Sequence, residues 1–412
     1  MYRVWLLVSV FCLGATGCTV NEVIVAEESD LIVADEPVEE SKLLDVGIVE
    51  FAPGLEEDND ARETGVYDEI RLAETKYLAY HLKTTLQGTG HWGAVRVIPS
   101  REAFTDVIIS GQIEKSDGEF VVLDITVEDA AGRHWFDKSY EMQTGVTSYS
   151  DRRDRRLDPY QKVFNDISND LYAYVSQLPP KQLQQTRQVS ELRFFADMSP
   201  RAYREHLDVE EYGKLKELRL PAENDPTVDR LRQIRERDRL VVDTLNEHYA
   251  NFYYGIAIPY RNWRKVHRQE SVAYRQVKRS ARIQTLVGVV ILAGSLAMDT
   301  ENSSSRRQRR VNRGLQSLGI TEGFNRIVGG VRRGSEAESH VAAIAELSES
   351  FGAQAAPMVV NVEGQERRLT GTAQAQYEGW RRLLKEIYKA ETGFTQSIDV
   401  GVPARTYEDT VE

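Results

Sequence analysis

Cysteine is almost missing from this chain: 412 residues hold two, Cys12 and Cys18, both within the first eighteen positions. Nothing after Cys18 can close a disulfide within the chain, offer a thiolate to a metal or serve as a thiol nucleophile. Long apolar runs are missing too. Val4–Leu13 is about half the ~20 residues a membrane-spanning helix needs, and Ile283–Met298 falls short of that length and includes Gln284 and Thr285. No histidine pair four apart with an intervening Glu is present, no serine sits in a nucleophile elbow, and Gly314–Gly334 lacks the spacing and preceding strand of a phosphate loop. His81, His91, His134, His206, His248, His267 and His340 are scattered, and the acids Glu56–Asp60 lack the alternating ligands and central glycine of a calcium loop. No set of named catalytic roles can be assembled, so the expectation is a protein that is not an enzyme, with no cofactor and no metal.

Charge is abundant and unevenly spread. The net charge is -12 with 28% charged and 41% hydrophobic residues, ordinary for a globular protein of about two or three domains. Glu22–Glu74 is strongly acidic, whereas Arg261–Arg313 is basic, with clusters at Arg264-Lys265, Lys278-Arg279 and Arg306–Arg310. An acidic sum argues against nucleic acid as a partner. The basic block suits an anionic surface, an acidic partner within the chain, or simply a solvated helix face.

The amino terminus carries the sharpest motif. Arg3 gives a positive start, Val4–Leu13 an apolar core, and Ala15-Thr16-Gly17 a small-residue exit before Cys18. These are the physical parts of a secretory signal, placed over residues 1–17. Ala15-Thr16-Gly17-Cys18 resembles the lipobox of bacterial lipoproteins, although that family more often has leucine where Ala15 stands. The resemblance implies lipidation of Cys18, with a diacylglyceryl group on the thiol and a further acyl chain, such as palmitate, on the new amino terminus. Several acyl chains at ~0.8 kcal/mol per buried methylene hold lastingly, where one chain does not. Thr19 in place of an aspartate favours, by the same analogy, the periplasmic face of the outer membrane. Residues 18–44 then read as an acidic tether, kept extended by self-repulsion.

Beyond it the pattern is α+β. Asp45–Phe51 reads as a buried strand, Tyr67–Gln87 as a helix stopped by Gly88-Thr89-Gly90, and Ala94–Ile98 as a strand closed by Pro99. Thr105–Glu114 and Glu119–Glu128 suit a hairpin, followed by a strand at His134–Gln143 and a helix from Asp158-Pro159 to Leu178. Residues 45–180 therefore form a small α/β domain, its mixed and largely antiparallel sheet flanked by helices. The segments Asp45–Phe51, His91-Trp92-Gly93 to Val97, Thr105–Ile113, Leu123–Asp129 and Gly132–Trp135 resemble a lipoprotein superfamily. It includes the LpoB activators of penicillin-binding proteins, CsgG-type secretion lipoproteins and TolB amino-terminal-like domains. That likeness covers about a third of the chain and implies binding or assembly without catalysis.

The second half reads as mainly helical. Asp225-Pro226 starts a helix with a near coiled-coil period through Val228, Leu231, Ile234, Val241, Leu245, Tyr249 and Phe252, which Pro259 kinks or ends. Residues 190–300 are taken as a helical domain whose apolar helix 283–298 is either core or membrane-inserting. Residues 301–400 comprise an Arg/Gly-rich loop, a helix at Glu336–Phe351, a short hairpin turning at Glu363-Gly364 and an aromatic-striped helix at Ala373–Thr392. The expected function is a non-catalytic binding or regulatory lipoprotein of the cell envelope, touching peptidoglycan synthesis or assembly. Its partners would be the bilayer, through Cys18, and an envelope protein. The alternative is an oligomeric, secretion-associated lipoprotein of the CsgG type, with a homo-oligomer as its mark; an envelope hydrolase is a distant third.

Overall fold

Burial on two faces or one decides where each strand lies. The computed structural model describes residues 29–55, 67–101, 103–150, 157–209, 215–222, 224–296, 358–362 and 365–392. The protein is α+β, a mixed five-stranded sheet flanked by helices and followed by a mainly helical region. Strand β1 (Val46–Val49) sits between β2 (Val95–Ile98) and β3 (Val107–Ser116), parallel to both, with Val46 opposite Val95 and Val107. Its short apolar run fits a strand covered on both sides. Strands β4 (Phe120–Asp129) and β5 (His134–Gln143) continue as antiparallel hairpins, giving the order β2-β1-β3-β4-β5. Along β4, Val121, Leu123, Ile125 and Val127 are buried while Asp124 is exposed, the alternation expected of a one-sided strand.

Helix α1 (Asp68–Thr89) crosses from β1 to β2 and packs on β1, β2 and β3; α2 (Gln161–Val175) packs on β5. Gly90, at φ 72°, ends α1 in the left-handed region that glycine adopts freely. Gly111 matters for a different reason: a Cβ there would stand 2.7 Å from the Phe51 ring, which lies against the strand.

The preceding helix ends before Pro179-Pro180, as the sequence reading to Leu178 expects, but helix α3 (Pro180–Met198) is absent from that reading. Pro180 opens the helix, at a position where a missing N–H costs nothing. A short helix α4 (Pro200–Tyr203) and a hairpin of β6 (Leu207–Val209) and β7 (Leu215–Leu218) follow, the hairpin likewise absent from the sequence pattern. Helix α5 spans Pro226–Leu296, opening with Asp225 Oδ1 accepting from the Thr227 N–H at 2.8 Å. It does not end at Pro259. Ile256, Tyr260, Trp263 and Arg264, on both sides of the proline, are almost fully buried, and that anchoring outweighs one lost backbone bond. The backbone of Ile283–Leu296 belongs to this helix, and no helix among the described residues is long and apolar enough to cross a membrane. Strands β8 (Met358–Val362) and β9 (Gln365–Leu369) form the expected hairpin, and helix α6 (Ala373–Thr392) lays Tyr377, Trp380, Leu384, Ile387 and Tyr388 into the core.

Two features depart from the sequence reading of separate units. Most buried apolar residues from Leu44 to Tyr388 form one connected cluster, with Ala130, Ala131 and Val189 in a small second one, so the sheet and the later helices share a core. Residues 29–44, read as part of an extended tether, lie on the body: Ala34 N–H donates to Thr89 O at 2.8 Å, and Leu44 is buried. Cys18, the Glu336–Phe351 helix and the Arg/Gly-rich loop lie outside the described residues.

Candidate functional site

Among the polar contacts that join helix α5 to the sheet unit, two constellations stand out. The first is buried. Arg264, fully enclosed, donates through both terminal nitrogens to Asp158, at 2.8 and 2.7 Å. Asp158 also accepts from the Tyr77 hydroxyl at 2.9 Å and from the Tyr160 N–H at 2.8 Å, so it fixes the turn just ahead of α2, whose N-cap is Tyr160 and not the Asp158 expected from the sequence, while it holds α5. The guanidinium lies over the rings of Tyr260 and Tyr160, 4.1 and 4.6 Å from their centroids. Burial alone would raise the Asp158 carboxyl, but Arg264 overrides it and holds the group far below the usual carboxylate range. Burial likewise opposes the charge on Arg264, and Asp158 and Tyr260 keep it protonated. Nearby, Glu74 is pushed up by burial despite Arg71, and it accepts from the hydroxyls of Ser116 and Tyr260. Gly118, at the tip of the β3–β4 hairpin with φ 76°, touches the same turn of α5. A Cβ there would come within 2.3 Å of Arg264 O.

The second constellation is open to solvent. The amino-terminal ends of β1, β2 and β3 border a cleft of about 1110 Å³ between residues 39–45, α3 and α5. Its lining holds six acids and six bases, and the best-placed of them are fixed. Asp45 Oδ1 accepts from the Ala94 N–H at 2.9 Å and its Oδ2 from Arg239 at 3.0 Å. Asp106 Oδ2 accepts from the Asp45 N–H at 2.9 Å. Burial raises the Asp106 carboxyl, and the Asp45 N–H only partly offsets it. Arg235 reaches Ser190 Oγ at 2.7 Å and Phe104 O at 3.1 Å, its charge opposed first by burial and then by Arg239. Arg232 pairs with Glu191 and Arg187 donates to Glu40 O. Groups so tied are poor proton shuttles and good fixed donors and acceptors. The chemistry they offer is recognition of a polar surface of mixed charge.

The sequence candidates separate clearly. Cys18 lies outside the described residues. His81 is buried between Tyr253 and Gln161, with its ring nitrogens 2.7 and 2.9 Å from their oxygens, and burial pulls its pKa down. His91 stacks on Tyr172 with centroids 3.9 Å apart, His206 contacts Arg219 O, and His267 packs against Trp263. No group of three or more His, Cys, Asp or Glu among the described residues could hold a metal ion. Of the basic block, Arg264 has found an acidic partner within the chain. Sequence reasoning marked Asp158 only as a helix cap and missed its link to Arg264, 106 residues away. The Asp45–Arg239 pair, 194 residues apart, carried no local signal at all.

The chain matches no family model, and no curated protein matches it. Among solved structures it is similar to a dodecamer of a PelC point variant from Paraburkholderia phytofirmans. The identity is 13% and the TM-score 0.16, over 40% of this chain and 98% of that one, a likeness too slight to argue from.

Proposed function

We propose that this protein is a lipoprotein of the bacterial envelope, anchored through acylated Cys18 at the periplasmic face of the outer membrane, and that it binds and regulates another envelope protein without catalysis. One observation carries the reading: a positive start, a short apolar run and Ala15-Thr16-Gly17-Cys18, in that order. The charged cleft at the head of β1–β3 supports it, since its fixed donors and acceptors suit a polar protein surface better than they suit bond cleavage.

Two measurements test it. Mass spectrometry of the mature chain is expected to find an acylated amino-terminal Cys18, and Cys18→Ser is expected to move the protein from the membrane fraction to the soluble one. Crosslinking in intact cells from Glu236→Cys, at the cleft, is expected to capture a discrete envelope protein. An unmodified amino terminus would remove the anchor, and capture of nothing across growth conditions would remove the regulatory role.

A further inference from the structure

The segment that follows the anchor is short, and it is fastened to one end of the body. Ser29 O accepts from Asn165 Nδ2 at 2.6 Å. One turn along α2, Asn169 holds the strap from both sides: its Nδ2 donates to Asp30 O and its Oδ1 accepts from the Ile32 N–H, each at 2.9 Å. Ala34 then bonds to Thr89, beyond which residues 40–42 form a 3-10 turn beside α3. The strap therefore runs in the same direction as α2, and Ser29, its first described residue, lies toward the amino-terminal end of that helix.

Between Cys18 and Ser29 lie ten residues, Thr19–Glu28. Fully extended they reach about 35 Å, and as a flexible chain about 17–19 Å on average. Ser29 lies toward the end of the body where Tyr160 meets the β3–β4 turn at Gly118. Strand β3 runs from Val107, next to Asp106 in the cleft, to Ser116, beside that turn. Ten residues of strand put the two ends about 33 Å apart.

Resting on the anchor at Cys18 proposed above, we infer that the amino-terminal end of α2 is the end of the body kept nearer the lipid headgroups, and that the charged cleft is carried at the opposite end, facing away from the bilayer. The body does not reach across the periplasm on a free 27-residue tether. A partner must come to within a body length plus the leash, about 50 Å of the membrane on average, to meet the cleft.

The test uses the full mature lipoprotein in vesicles of phosphatidylethanolamine and phosphatidylglycerol, with an acceptor dye on the headgroups. No cysteine follows Cys18, so one introduced thiol takes a donor dye uniquely. Lys162→Cys labels the α2 end and Glu236→Cys the cleft. Transfer from position 162 is expected to exceed that from position 236 by at least about threefold, given the ~33 Å between the ends. Twenty Gly/Ser residues inserted between Glu28 and Ser29 are expected to cut transfer from position 162 by about half, as the leash lengthens. Asn165→Ala with Asn169→Ala, which frees the strap from α2, is expected to act in the same direction while the circular dichroism spectrum is kept. Equal transfer from the two labels, or transfer from position 162 unaffected by the insertion, overturns the inference. Vesicle binding by Cys18→Ser at full strength overturns the anchor instead, a separate result.

Discussion

Removing the Arg264 side chain leaves a carboxylate enclosed with only the Tyr77 hydroxyl and the Tyr160 N–H as donors. Breaking one half of a buried ion pair costs about 3–5 kcal/mol, so Arg264→Met is expected to lower unfolding free energy by that amount in a urea titration. Arg264→Met combined with Asp158→Asn should recover much of the loss, since no uncompensated charge remains. His81 sets up a pH dependence. Burial holds its pKa below the ordinary 6.5, so the unfolded chain takes the proton first. Its contribution is complete above the ordinary value and is lost as pH falls through the lowered one. Glu74, Asp106 and Asp238 work the other way. Their pKa values are raised by burial, so their contributions are complete below the ordinary carboxylate range and fade as pH rises. Comparing the native chain with His81→Gln isolates the histidine. Between about pH 7 and pH 5 the native protein is expected to lose stability faster than the variant, and parallel curves would refute this.

At the level of elements, α5 does what a sixth strand would otherwise do. Asn246 on α5 accepts from the Val97 N–H through Oδ1 and donates to Val97 O through Nδ2, both at 2.9 Å, closing the outer edge of β2. Asn246→Leu keeps the volume but strands two backbone groups, an expected cost of about 2–3 kcal/mol by chemical denaturation, with faster aggregation from the reopened edge. Gly118→Ala drives a methyl into the Arg264 carbonyl at a positive φ, and a loss of about 3 kcal/mol is expected. The five strands of the main sheet, α1, α2 and the β8–β9 hairpin were legible because their signals are local: alternation, a glycine stop, a proline-marked start. Helix α3 was not, because Pro179-Pro180 carries the same letters at a helix start as at a stop. Pro259 misleads for a related reason, since the core that carries the helix through it is assembled from residues far away in sequence. The cleft was least legible of all. Asp45, Arg235 and Arg239 are ordinary surface letters until β1 and α5 are brought together.

For the whole molecule, the single core argues for one cooperative unit. Trp380 on α6 donates to Asp238 on α5 at 3.1 Å, and α5 in turn reaches β2, α1 and α2. Trp380→Ala, at about 3–5 kcal/mol for a buried tryptophan, is expected to lower the melting midpoint of the whole body in one transition. A second, unshifted transition for the sheet would contradict that. The strap has a further consequence, which concerns order in time. Ser29 is fastened by Asn165, a residue 136 positions later, and synthesis at roughly 5–20 residues per second separates the two by on the order of ten seconds. On the proposal above, an enzyme acting on the start during that interval would meet a chain not yet fastened at Ser29.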